Sequence, residues 1–150
     1  MKIQPIQQSP TFQYNSPLKT LYREGKLPVK YGFYGDKLTQ KNVSLEHLKP
    51  HSKGGKTELS NLVLASKQKN QARGNADIRN FANKETIIKY LSQFIDVKIK
   101  GFDGNKYING IIKTLTYLGV LKWAWYCSRS CLKISIGISN RRDSLPFRST

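Results

Sequence analysis

Glu46 to Asn75 read EHLKPHSKGGKTELSNLVLASKQKNQARGN, and the way this stretch punctuates itself decides the fold. The run that leads into it, Val43 to Leu48 (VSLEHL), mixes β-branched and apolar residues and is broken at Pro50, which predicts a first strand. Gly54 and Gly55 allow the backbone to reverse. Asn61-Leu62-Val63-Leu64 then predicts the returning strand, and Ser66 supplies a side chain able to cap a helix that begins at Lys67.

Neighbouring side chains on a strand point to opposite faces, so Glu46 and His47 are aimed differently: one is free to hold a metal while the other faces a water. Asn61 follows His47 by fourteen residues and Asn70 follows by nine more, about one turn inside the helix, where its amide oxygen can face Glu46 across the hairpin. Phosphodiester hydrolysis calls for this combination. The charged diester repels nucleophiles and its alkoxide leaves poorly, so a catalyst needs an activated water, which an imidazole can generate, and a cation at the phosphorane. A carboxylate and an amide oxygen form a hard site that leaves positions for water and phosphate.

The joint pattern of Glu46-His47, Pro50, Ser52-Lys53-Gly54-Gly55, Asn61-Leu62 and a closing Asn70 resembles the HNH endonuclease family in its H-N-N variant. That family's ββα-metal motif runs acid-His, Pro, Gly-Gly, Asn-Leu and a final His or Asn on a short helix. The resemblance implies an α+β fold, a small ββα-metal hairpin-helix flanked by amphipathic helices. It implies His47 as general base, Asn61 as the site amide that holds the loop and orients the histidine strand, and Glu46 and Asn70 as ligands of one divalent metal ion (Mg, Mn, Ni or Zn). Lys53, Lys69 and Arg73 are the expected phosphate contacts. The expected activity is nicking or cutting of DNA, most simply double-stranded, to leave 5′-phosphate and 3′-hydroxyl ends, with a homodimer as a further expectation. The alternative is a module that binds nucleic acid but has lost cleavage. Two positions depart from the commonest pattern: Glu46 stands where Asp is usual and reaches about 1.5 Å further, and Asn70 replaces His.

His47 and His51 form H-x3-H, and Cys127 and Cys131 form C-x3-C, a combination that raises a structural zinc site. Pro50 lies between the histidines and denies them a common helical face, so no such site is expected and His51 is read as an exposed or phosphate-facing loop residue.

The 150 residues carry 26 Lys and Arg against 9 Asp and Glu, a formal charge of +17 that is spread along the whole chain. Such a balance favours a polyanionic partner touched mainly through its phosphates. Neither a phosphate-loop nor a dinucleotide glycine pattern occurs, which argues against an adenine-nucleotide enzyme. Two cysteines make no disulfide framework, and there is no apolar leader or run of membrane-spanning length, so the expectation is a cytoplasmic protein of a bacterial or phage-infected host cell, with no membrane partner.

Around the motif (43–75), residues 1–15 are polar and proline-punctuated and are expected to be a flexible lead-in. Residues 16–119 are read as the nuclease domain. Ser16 and Pro17 start a short helix that Gly25 stops, and Tyr31 to Tyr34 (YGFY) read as a strand or an aromatic loop near the active face, able to stack on bases but more commonly packed in the core. Asp77 to Ala82 predict a helical turn. Supporting amphipathic helices are predicted at about 84–95, capped by Asn83, and at 107–118, with Val97 to Phe102 as a strand entering an Asp103-Gly104-Asn105 turn. Residues 120–150, with Trp123, Trp125, Tyr126 and a Ser/Arg-rich end, are a basic tail to which the sequence assigns no function.

Overall fold

A computed structural model describes residues 17–122. The described chain runs α1 (Pro17–Arg23), β1 (Val43–His47), a 3-10 turn at His51–Lys53, a second at Leu59–Asn61, β2 (Leu62–Ser66), α2 (Lys67–Arg73), α3 (Ile78–Phe81), α4 (Lys84–Ser92), β3 (Lys98–Ile99), β4 (Phe102–Asp103) and α5 (Gly104–Tyr117). This is an α+β arrangement of helices with two small antiparallel sheets, and β1, β2 and α2 form the ββα unit. Ser16, Cys127, Cys131 and the aromatic tail fall outside the described residues.

β1 pairs with β2 in the register Leu45 opposite Leu64 and His47 opposite Leu62. Two glycines close the hairpin for different reasons. Gly54 sits at φ +89°, where a side chain is strained, whereas a Cβ on Gly55 would land on the carbonyl of Lys49. Asn61 belongs to the 3-10 turn before β2 rather than to the strand. Ser66 caps α2 by accepting a hydrogen bond from the Lys69 amide at 3.2 Å.

Two strands alone bury too little to be stable, and both of their outer edges here are covered. On β2, the Phe33 amide donates to the Leu64 carbonyl, the Leu64 amide donates to Tyr90 Oη, and Tyr107 Oη donates to the Leu62 carbonyl at 2.7 Å. The two phenols lie 2.9 Å apart and belong to an aromatic cluster in which Phe94 meets Tyr90 at 5.1 Å and Tyr107 at 4.8 Å between ring centroids. Burial pushes both phenols upward, so they remain donors. Thus α4 and α5 serve the hairpin through hydrogen bonds as well as through apolar area. Thr114 of α5 also binds the Ser60 carbonyl, at 2.6 Å.

Three boundaries differ from the sequence expectation. Helix α4 ends at Ser92 instead of Ile95, because the chain turns through Asp96 at φ +59°. The strand predicted over Val97 to Phe102 is a hairpin of two-residue strands. Asp103-Gly104-Asn105 is the beginning of α5 and no turn: Asp103 Oδ1 caps Lys106 N at 3.2 Å, and Gly104 fits where a Cβ would strike the Phe94 carbonyl. Tyr31 bridges to Lys37 outside any strand, and Phe33 is fully buried, as the core reading of YGFY expected. The core runs on to Leu121, whose amide reaches the Leu115 carbonyl.

Gly55→Ala is expected to destabilise the protein by about 1–3 kcal/mol, because the new methyl group must displace the Lys49 backbone. Urea denaturation measures it, and a midpoint equal to that of the wild type would refute the close approach.

Candidate active site

Alternation along β1 puts Ser44 and Glu46 on one face and Leu45 and His47 on the other. Helix α2 lies against the first face. Asn70 donates through Nδ2 to Ser44 Oγ at 3.1 Å and to the Leu45 carbonyl at 2.8 Å. A carbonyl accepts only a donor, so this pairing fixes the orientation of the amide and leaves Oδ1 as its outward oxygen. Three residues on, Arg73 reaches the same edge.

Arg73 is buried, with none of its side chain exposed. Its guanidinium donates to the His47 carbonyl at 2.6 Å, the Leu48 carbonyl at 2.9 Å and the Ala76 carbonyl at 2.8 Å, and pairs with Glu46 Oε2 at 3.2 Å. This corrects the expectation that Arg73 touches phosphate: its side chain is fully buried and four of its five N–H groups are directed to partners inside the protein. Lys53 and Lys69 are exposed, and Lys53 donates to the Asn75 carbonyl at 2.9 Å.

Glu46 is 5 % exposed. Its Oε2 also accepts from Tyr34 Oη at 2.6 Å, and among the described residues no hydrogen bond or ion pair falls on Oε1. Burial, followed by the hydrogen bond to Glu46, pushes the Tyr34 phenol far above its ordinary range, so it stays a donor. Glu46 and Asn70 therefore each keep one oxygen unengaged. One carboxylate and one amide oxygen fit a hard divalent cation whose remaining positions go to water and phosphate. Among the described residues, no group of three or more His, Cys, Asp or Glu is gathered for a metal, so a ligand set at Glu46 and Asn70 depends on the amide.

On the opposite face, His47 Nε2 lies 2.9 Å from Thr57 Oγ1, and the ring of His51 stands edge-on at 6.2 Å. These residues, with Leu45 and Leu62, line a concavity of about 370 Å³. The His47 pKa falls below its ordinary value, first through burial and then through the charges of His51 and Arg73. Asn61 closes the intervening loop: Oδ1 accepts from the Lys49 amide at 2.9 Å, and Nδ2 donates to the carbonyls of Lys49 and Lys56 at 3.1 and 2.8 Å. Sequence reasoning missed Tyr34 and Thr57. Neither lies at a motif position, and only the folded contacts connect them to Glu46 and His47.

A hairpin-helix that carries an acid, an imidazole and two amides is an α+β arrangement consistent with a ββα motif of the HNH type. Residues 34–77 match the HNH endonuclease family, and this match assigns the segment to that family and points to nuclease activity on a nucleic-acid substrate. Comparison with curated proteins and with solved structures finds no match. Among the described residues, no helix is long and apolar enough to cross a membrane.

Arg73→Met should cost about 3–5 kcal/mol of stability, since it leaves the Glu46 carboxylate buried without its cation. Arg73→Lys should recover only part of that loss, because an ammonium cannot reproduce the planar fork. Denaturant unfolding of the two variants distinguishes this brace from a phosphate contact, which would weaken DNA binding and leave stability unchanged.

Proposed function

We propose that the protein is a metal-dependent endonuclease that hydrolyses DNA phosphodiester bonds, with His47 as general base and Glu46 and Asn70 as metal ligands. The observation that carries the reading is the division of β1: a carboxylate and an oriented amide on its α2 face, and an imidazole held near neutrality on the other. A divalent cation at Glu46 and Asn70 would supply Lewis-acid stabilisation of the phosphorane and the departing 3′ oxygen. The protein's own part is to place groups and hold protons. A Thr57 hydroxyl accepting from Nε2–H leaves Nδ1 of His47 as the basic lone pair, ready to take a proton from an attacking water.

Basic side chains supply the means of holding a backbone. Lys19 on α1 has its pKa lowered by burial and then by Arg23 and Lys67, and none of these three cations carries an acidic salt bridge among the described residues. Like charges kept together in this way favour a polyanion. Lys53 and Lys69 are proposed as further phosphate contacts, double-stranded DNA as the substrate, and a homodimer as the form that cuts both strands.

Supercoiled plasmid incubated with Mg²⁺, Mn²⁺, Ni²⁺ or EDTA tests the reading. The wild type should nick it only with metal, and His47→Ala should lower the rate about 10²–10⁴-fold. DNA retardation without cleavage in any metal would favour the binding module.

Activity should fall with decreasing pH along an acid limb whose midpoint lies below 6.5. A lowered imidazole pKa keeps the basic form to more acidic pH, and protonation then removes it. Initial rates followed downward from about pH 8 to the onset of acid unfolding check this, and a profile with no acid limb rules out His47 as base.

A further inference from the structure

Tyr117, the last residue of α5, has 79 % of its surface exposed. Phe81, the other exposed large apolar side chain among the described residues, meets the Tyr34 ring edge-on at 6.3 Å, whereas no ring contact or hydrogen bond from another described residue holds Tyr117. A lone surface aromatic needs no explanation. The surroundings of this one give it a partner.

Tyr117 borders two concavities that share Lys49. The larger, about 360 Å³, is lined by Pro50, Ile78 and Leu118 and by the cations Lys49, Lys53 and Arg79. The smaller, about 200 Å³, adds Lys56 beside the Gly54-Gly55 turn. Of the two acids on these walls, Asp77 pairs with Arg79 at 2.7 Å, which holds its carboxyl down at about 2, and Glu58 accepts a hydrogen bond from the neutral Ser60 hydroxyl at 3.2 Å and stands against the basic side chains Lys49, Lys53, Lys56 and Arg79. The larger concavity lies within the size range of small-molecule sites, about 300–1,000 Å³. Arg73 and Leu48, part of the brace that holds Glu46, also line it, so the concavity adjoins the proposed cleavage site.

We propose that Tyr117 is a nucleobase-stacking residue and that the DNA bound here presents an unpaired nucleotide to it, with flanking phosphates on Lys49 and Lys53. The proposal rests on the nucleic-acid reading above and narrows its double-stranded substrate to duplex DNA interrupted by a single-stranded gap, end or displaced strand. In a continuous duplex each base face is covered by its neighbours, so only an unpaired or extruded base can lie on a protein ring. Stacking on an aromatic side chain tolerates any base, and the surrounding cations hold the backbone.

The test is fluorescence anisotropy with the full-length protein in EDTA, using labelled oligonucleotides of one length as single strand, gapped duplex and continuous duplex. The wild type should bind the unpaired forms more tightly. Tyr117→Ala should lose about tenfold in affinity for those forms while keeping its affinity for continuous duplex, and Tyr117→Trp should retain the preference. Because the ring is exposed, Tyr117→Ala should melt with the wild type. Equal wild-type affinity for paired and unpaired DNA, or a preference that survives Tyr117→Ala, overturns the proposal. Working without metal separates the two readings. Plasmid cleavage with no such preference defeats the stacking role alone, whereas a Tyr117-dependent preference without cleavage supports stacking and defeats the nuclease reading.

Discussion

The free edge of β1 is the constraint on which the site depends. In the register seen here, the carbonyls of Leu45 and His47 point away from β2, and either one, if buried and unpaired, would cost about 1–3 kcal/mol. Helix α2 supplies the partners at helical spacing, Asn70 for Leu45 and Arg73 for His47. The strand repeat of two residues and the helix repeat of three or four thus coincide along one edge. The arrangement also sets the position of the helix, because sliding α2 by a turn would leave both carbonyls without donors. The residues read as metal-site components are therefore structural parts of the same seam.

Glu46 has a place in this seam that an aspartate would fill differently. Its longer arm brings Oε2 to both Tyr34 and Arg73. A buried carboxylate is tolerated when a cation and a neutral donor share its charge, and Arg73 is itself held by three carbonyls so that it cannot swing away. Only the second carboxylate oxygen is left for anything else. The unusual residue at this position and the buried arginine three residues beyond Asn70 thus form one arrangement, and changing either alone leaves a charge stranded.

Much of this was legible in advance, and the reasons are local. Ser66 as a cap, Pro50 as a strand stop and Gly54-Gly55 as the reversal each act through their own backbone, so β1, β2 and the start of α2 could be read within a residue or two. The beginning of α5 could not. Asp103-Gly104 looks like a turn until the Phe94 carbonyl is found against Gly104, a contact set by packing. Arg73 failed for the same kind of reason: a basic residue near a phosphate-type motif reads as a surface contact, and its burial follows from carbonyls contributed by β1. The YGFY run could be placed near the active face as an aromatic loop, but the pairing of Tyr34 with Glu46 and of Thr57 with His47 exists only once the loops before and within the hairpin have closed.

The two faces of β1 are also linked electrically, and Arg73 is the link. Its charge attracts the Glu46 carboxylate and, through the strand, adds to burial and His51, the larger influences, in opposing a positive charge on His47. The proposed chemistry calls for an uncharged base beside the metal ligand, and burial, His51 and Arg73 all act on His47 in that direction. In this fold one fully buried cation acts on both residues from a single position. Moving the positive charge out to solvent would leave the outline of the hairpin recognisable, but the Glu46 carboxylate would stay buried without its cation and His47 would lose one of the three influences that oppose its charge.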